Sequence, residues 1–279
     1  IPPNGQGIAA LIALGILEKF DLASLPVDST ASQHLQIEAM KLAFADVYRY
    51  VSERSTMEVT TEQMLDDAYL ASRARLIDMR RAQDFQAGNP VKGGTIYLTA
   101  ADENGMMVSF IQSNYMGFGS GCVEPNYGIS LQNRGYGFSL DAASPNVVAP
   151  GKRPFHTIIP AFLTKDGQPV MSYGVMGGNM QPQGHMQTLV RMLDYRQGLQ
   201  AACDAPRWRF NKGLNINVEA AMNAATVQGL KDLGHEIDVI NDSYQDFGAG
   251  QFIWRAGNPA VEGYVAASDP RRDGLAAGY

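Results

Sequence analysis

The stretch Asn89-Pro90-Val91-Lys92-Gly93-Gly94-Thr95-Ile96-Tyr97-Leu98-Thr99-Ala100-Ala101-Asp102-Glu103-Asn104-Gly105 divides the chain. Polar residues without periodicity stop at Thr95, and a β-patterned run begins there and closes on the turn signal Asn104-Gly105. A threonine at the head of a strand, behind two glycines, becomes a new N-terminus if the Gly94–Thr95 peptide is cut. It then carries a nucleophilic hydroxyl and its own base, the α-amine. That amine titrates near ~7.7–8.0, so part of it is neutral at pH 7 and takes the hydroxyl proton, directly or through water. Gly94 lacks a Cβ, which lets the preceding peptide strain toward an N-to-O acyl shift. The pattern points to a self-processing amide hydrolase or acyl transferase. A threonine at a strand start is also common without such chemistry, so the rest of the chain has to decide.

Upstream of Thr95 the chain reads as helical. Helices are predicted over residues 8–20, 32–51 and 61–82, the second capped by Ser32 with Leu35, Ala39, Leu42 and Ala43 on one face. Residues 83–94 read as a linker. Downstream, 95–102 and 106–114 read as a hairpin across Asn104-Gly105. Short strands are predicted at 128–132, 158–164, 170–175, 236–240, 251–254 and 261–267, with helices over 183–197 and 218–233. Helices first, then hairpins with helices, predict an α+β fold with helices layered on antiparallel sheet.

The 279 residues suit one large or two small domains, and 45% hydrophobic with 18% charged residues is an ordinary globular balance. A net charge of −6 without a basic cluster argues against nucleic acid as a partner. The apolar run Ile8 to Leu17 is too short to span a membrane, so no membrane partner is expected. Cys122 and Cys203 are too few for a disulfide framework or a zinc site, although one bridge between them stays open. His34, His156, His185 and His235 have no metal-ligand spacing; His34 and His235 are expected on helix or turn surfaces, and neither metal nor cofactor is expected. The opening Ile1-Pro2-Pro3-Asn4-Gly5-Gln6-Gly7 reads as a turn inside a larger protein. The cysteine pattern leans to the cytoplasm, or to the periplasm if a signal peptide lies upstream.

Four motifs offer chemistry. Thr95 is the first. In Tyr173-Gly174-Val175-Met176-Gly177-Gly178-Asn179, adjacent glycines between a strand and a helix let two backbone N–H groups face one point, as an oxyanion hole requires, or form an ordinary tight turn. Pro150-Gly151-Lys152-Arg153-Pro154-Phe155-His156-Thr157 is a rigid loop of cations and a hydroxyl, either a carboxylate site or a solvated loop. In Gln132-Asn133-Arg134-Gly135-Tyr136-Gly137-Phe138-Ser139, Arg134 is either a carboxylate fork or a surface arginine. Cys122 with His156 as thiol and base, and Gly117-Phe118-Gly119-Ser120-Gly121 as a phosphate loop, lack the surrounding signatures.

These pieces in this order resemble the γ-glutamyltranspeptidase family of N-terminal-nucleophile hydrolases. The resemblance rests on Ile1-Pro2-Pro3 with Gly7-Ile8-Ala9, on His34-Leu35 with Glu38 to Asp46, and on Thr95 to Gly105. It continues through Phe118 to Gly121, Phe138-Ser139, Pro150 to Pro154, Gly177-Gly178, Ala205-Pro206-Arg207, and Ala267 to Arg271 with the terminal Ala277-Gly278-Tyr279. It implies a four-layer αββα fold and autocleavage before Thr95. Residues 1–94 would be the end of a large subunit and 95–279 a small subunit, the two forming a heterodimer of one precursor. Higher oligomers stay open. The resemblance implies Thr95 as nucleophile, Ser113 as the hydroxyl that tunes its amine, and Gly177 and Gly178 as oxyanion donors.

The pocket departs from the transpeptidase pattern. Gly137 stands where the family places the acid that holds a substrate α-ammonium, Arg134 stands three residues before it, His156-Thr157 replace paired serines, and Tyr115 replaces an asparagine, with Asn114 adjacent. An α-ammonium would lack its counter-ion, so a carboxylate-bearing amide without an amine fits better. Arg134, His156 and the Lys152-Arg153 loop are expected to supply positive charge. Tyr115 and Tyr136 are expected to narrow the pocket toward a small substrate such as oxamate, as in the family's amidohydrolase branch with its glutaryl or cephalosporin acylases. Two rivals remain: a γ-glutamyltransferase or glutathione hydrolase, and an uncut binding or structural protein.

Overall fold

A computed structural model describes residues 1–85 and 94–278, so most of the expected 83–94 linker lies outside the described residues. Helix α1 (Ile8–Leu17) is apolar almost all round and buries eight of its ten residues, as a core helix does. Helix α2 (Thr30–Tyr50) packs against it. Its cap is Ser29, three residues before the predicted Ser32: the Ser29 hydroxyl accepts from the Ser32 N–H at 3.2 Å. The predicted helix over 61–82 is two short helices, α3 (Thr61–Met64) and α4 (Asp67–Ala74), and it stops before Leu76 and Ile77. Asp66 breaks it, because its carboxylate accepts from the Tyr69 N–H at 3.0 Å and starts a new helix.

The hairpin β1 (Gly94–Ala101) and β2 (Met107–Tyr115) forms as predicted. Asp102 accepts from the N–H groups of Asn104 and Met106 at 3.0 and 2.9 Å, and Gly105 takes φ +88°, which a side chain would resist. Strands β3 (Val123–Glu124) and β4 (Ile129–Ser130) make a small ribbon. Strands β5 (Ala161–Lys165), β6 (Gln168–Met176), β10 (Ala249–Arg255) and β11 (Tyr264–Ser268) form an antiparallel sheet in the order β11-β10-β6-β5. Helices α5 (Met180–Leu193) and α6 (Leu199–Asp204) cover one face of that sheet, burying Met171, Val175, Phe252 and Leu189. The hairpin stacks on the other.

The α+β class therefore holds. Helices, four-stranded sheet and hairpin are three of the four layers of an αββα stack. The outward face of the hairpin, with Ile96 66% and Phe110 45% exposed, is the side a fourth layer would cover.

The sheet prediction needs two corrections. The helix predicted over 218–233 starts too early: its first two residues end a strand, β8 (Asn215–Glu219). Fully buried Ile216 and Val218 alternate with Asn215 and Asn217, a period of two, and Asn223 caps the true helix α7 (Ala224–Asp232). Nor is every pair antiparallel: β7 (Trp208–Lys212) runs antiparallel to β8, but β9 (Glu236–Ile240) runs parallel to it, since α7 makes a crossover. The main core ignores the division at Thr95. Ile12, Leu35 and Phe44 from the first half pack with Met186, Trp208, Phe210 and Val218 from the second. No helix among the described residues is long and apolar enough to cross a membrane.

Candidate active site

The head of β1 places Thr95. The β1–β2 register slips between Gly94 and Ile96, so Thr95 sits in a bulge opposite Ser113 and Asn114. Its side chain is 7% exposed, and its Oγ1 donates to Ser113 Oγ at 3.1 Å. The Ser113 hydroxyl also accepts from the Tyr115 N–H at 2.9 Å. Tyr115 takes φ +79°, an uncommon and costly conformation for a bulky side chain. The turn swings its ring over Arg134, whose guanidinium carbon lies 5.2 Å from the ring centroid.

The strand is seated by what lies beneath it. Tyr97 presses on Gly174 of β6, where an added Cβ would fall 2.5 Å from the ring. Hydroxyls bridge the two sheets: Ser109, bonded to Tyr97 at 2.7 Å within the hairpin, accepts from the Ala161 N–H at 3.0 Å, Thr99 donates to Ser172 at 2.7 Å, and Ser172 donates to the Val108 carbonyl at 2.9 Å. Every hydroxyl between the sheets that is named here has a partner, as burial requires.

Gly177 and Gly178 end β6 in the left-handed region, at φ +122° and +60°. A Cβ on Gly177 would come within 3.0 Å of the Gly248 backbone. Gln6, fully buried, donates from Nε2 to the carbonyls of Gly178 at 2.9 Å and Thr157 at 2.7 Å, tying the glycine turn to the loop before β5. Met176, just before the glycines, lines the cavity that holds Thr95; Asn179, just after them, lines the one that holds Tyr115.

The predicted site residues other than the glycines divide among three cavities. Thr95, Ser113 and Asn114 line one of about 770 Å³. Tyr115, Tyr136 and Thr157 line another of about 430 Å³. Arg134 and His156 line a third of about 480 Å³. Arg134 joins the last two, since its Nη1 donates to Thr157 Oγ1 at 3.2 Å. Its Nη2 is buried with no hydrogen-bond partner among the described residues, a state that calls for an acceptor.

The expected supply of positive charge is narrower than the sequence suggests. Burial, with the Arg134 charge behind it, pushes His156 down to about 4, so it is neutral at pH 7. Lys152 is used up on the carbonyls of Pro145 and Val147, and Arg153 forms a two-pronged pair with Glu53 at 2.6 and 2.7 Å. At Gly137 a Cβ would lie 2.7 Å from the Phe155 carbonyl oxygen, so the backbone leaves no room for an acid there. Cys122 is an exposed thiol and Cys203 a buried one, and both are free, so no bridge joins them.

Two residues that sequence reasoning missed also line the Thr95 cavity: Tyr244 and Arg272, the guanidinium carbon lying 3.6 Å over the tyrosine ring. They are 28 positions apart on separate elements, and no spacing rule connects them.

His34 and His235 are not on the surface. Both are buried, with His34 Nδ1 2.8 Å from His235 Nε2. With Glu38 their ligand atoms lie within 4.8 Å of one another, a set that has the composition of a metal site. The Lys41 ammonium already fills the cation's place: its Nζ donates to Glu38 at 2.8 Å and to the Gln83 carbonyl at 3.1 Å, and lies 3.4 Å from His235. A divalent ion there would sit against that charge, so the group reads as a closed polar network.

The family model described as Gamma-glutamyltranspeptidase matches residues 1–279. A glutathione hydrolase-like proenzyme of Bacillus subtilis is 36% identical over 99% of this chain and 53% of its own length. An oxamate amidohydrolase proenzyme of Klebsiella pneumoniae is 36% identical over 100% of this chain and 53% of its own. The crystal structure of a cephalosporin acylase from Bacillus halodurans superposes with a TM-score of 0.91 at 48% identity, covering 100% of this chain and 50% of that one. The chain spans about half the length of the relatives it matches.

Proposed function

We propose a function from one premise: the chain belongs to the γ-glutamyltranspeptidase family. It is part of a self-processing amidohydrolase that cleaves the amide of a small carboxylate-bearing substrate. Cleavage falls between Gly94 and Thr95, leaving residues 1–94 as the end of a large subunit and 95–279 as a small subunit. The freed α-amine takes the proton of Thr95 Oγ1 as the oxygen attacks the amide carbon. The Gly177 and Gly178 N–H groups hold the oxyanion, and the C–N bond breaks as the α-ammonium returns a proton to the departing nitrogen. Water, activated by the same amine, then releases the acid from Thr95. Ser113 orients the nucleophile.

The observation that carries this reading is the buried Thr95 hydroxyl at the head of β1, bonded to Ser113 in the cavity reached by Met176. The open Nη2 of Arg134 and the space closed to an acid at Gly137 support a substrate with a carboxylate and no α-ammonium. Oxamate is the small end of that class. A glutaryl or cephalosporin acylase is the second reading, favoured by a cavity of about 770 Å³, far more than oxamate fills. A γ-glutamyl transfer activity requires the counter-ion that Gly137 removes.

Intact mass under denaturing conditions tests the reading. Two species are expected, the second beginning at Thr95. Thr95→Ala is expected to give one species and no turnover of oxamate, glutaryl amides or γ-glutamyl anilide. A Thr95→Ala protein that still turns any of these over refutes it.

A further inference from the structure

Arg272 stands out among the cations described so far. Its guanidinium lies flat on the Tyr244 ring, 3.6 Å from the centroid, and both side chains line the cavity that holds Thr95. Arg271 beside it is consumed by Glu219 and Asp269. Arg272 forms no ion pair among the described residues, and its one side-chain hydrogen bond there goes from Nη1 to the Arg271 carbonyl at 2.8 Å. Asp273 lines the same cavity but is exposed. A stacked guanidinium keeps its edge N–H groups free while its flat face is held, the geometry that reads a carboxylate with two parallel bonds.

Arg134, which also forms no ion pair among the described residues and keeps a buried Nη2 without a partner there, lies in another cavity. It touches Thr157 Oγ1 and the Tyr115 ring, and Tyr115 donates its N–H to Ser113, the hydrogen-bond partner of Thr95. An amide attacked at Thr95 has two halves, and the molecule offers a separate cation to each.

We propose that Arg272, braced on Tyr244, is a specificity residue that binds a carboxylate on the amine half of the substrate, Arg134 taking one on the acyl half. This deepens the amidohydrolase reading and rests on it. The substrate class becomes an amide whose departing amine carries an acid, such as an N-acylated amino acid. An amide that releases only ammonia leaves Arg272 without a task.

The test is binding, which needs no turnover. N-acetylglycine and its uncharged twin N-acetylglycinamide are titrated into the Thr95→Ala protein expressed from its whole reading frame. Arg272 is present, replaced by Gln, or replaced by Lys, and an Arg134→Gln protein serves as control. With Arg272 present the acid is expected to bind about tenfold more tightly than the amide, the scale of one charge-assisted hydrogen bond. Arg272→Gln is expected to erase the preference, Arg272→Lys to restore part of it, and Arg134→Gln to leave it in place. Equal binding of the two probes, no binding of either, or a preference that survives Arg272→Gln overturns the proposal. Failure of the catalytic reading shows separately, as a wild-type protein that is neither cut at Thr95 nor active.

Discussion

Replacing Gly174 by alanine tests whether Thr95, the proposed nucleophile, is placed by the ring beneath its strand. The new Cβ would lie 2.5, 2.6 and 2.8 Å from three atoms of the Tyr97 ring. Carbon atoms rest at ~3.5–4.0 Å, so the ring has to retreat by about 1 Å. It has little freedom to do so, being 7% exposed and bonded to Ser109 at 2.7 Å, so β1 moves with it. Overpacking of this kind costs ~1–3 kcal/mol. A domain with a total stability of ~5–15 kcal/mol stays folded, with a melting temperature lower by roughly 2–12 °C. The chemistry suffers more, because Thr95 is two residues from Tyr97 and a displacement of about 1 Å at a reacting group costs roughly 10²-fold in rate. The assay follows the appearance of the species beginning at Thr95 by denaturing mass spectrometry, together with turnover and calorimetry. Gly198→Ala is the control, since a Cβ there meets nothing within 4 Å. A Gly174→Ala protein that processes and turns over at wild-type rates would refute the idea that Tyr97 locates the proposed nucleophile.

Three further outcomes are expected. Ser113→Ala removes the 3.1 Å partner of Thr95 and should lower kcat/KM about tenfold, the worth of one hydrogen bond at a reacting group, while Ser113→Thr keeps most of the rate. Asp269 is fully buried between Arg207 at 2.8 Å and Arg271 at 3.1 Å, so Asp269→Asn leaves the buried Arg207 guanidinium without its ion-pair partner, while Arg271 keeps Glu219. It should cost about 3–5 kcal/mol in urea unfolding, and a loss below about 1 kcal/mol would show the pair to be dispensable. His34, His185 and His235 are all held below the ordinary histidine range, chiefly by burial, with His185 at about 3. The unfolded chain binds protons near pH ~6.5 where the folded one does not, so stability is full above that pH. It falls as the pH drops toward the folded values, by up to about 1.4 kcal/mol per unit for each histidine. A urea midpoint that stays flat from pH 7 to about pH 4.5 would contradict this sign.

Local signals were legible and distant ones were not. The hairpin carrying Thr95 could be read because its alternation and its Asp102-Asn104-Gly105 turn are written within a few residues. The predicted span 32–51 lies within two residues of helix α2 for the same reason; Ser29 and Ser32 differ as caps only in which backbone turns extended. The strand at 215–219 was hidden because its glutamate and the alanines that follow suit a helix, and only burial of Ile216 and Val218 against the first half decides otherwise. The polar network fails to show for a plainer reason: His34 and His235 are 201 positions apart. The same holds for Arg153, which looks free in sequence and meets Glu53 100 residues away. Gly137 could be flagged as a missing acid, but only the nearby Phe155 carbonyl shows that none would fit.

The core that runs across the division at Thr95 sets what a cut there would do to the thermodynamics of the whole. Ile12, Leu35 and Phe44 remain buried against Trp208, Phe210 and Val218 whether or not the backbone joins them. Before the cut, melting is a unimolecular event and its midpoint is the same in any volume of buffer. After it, the molten state is two separate chains, and reassembly becomes a second-order encounter. The melting temperature of the cut protein should rise with its concentration, and a sample diluted while hot should recover more slowly than one left crowded.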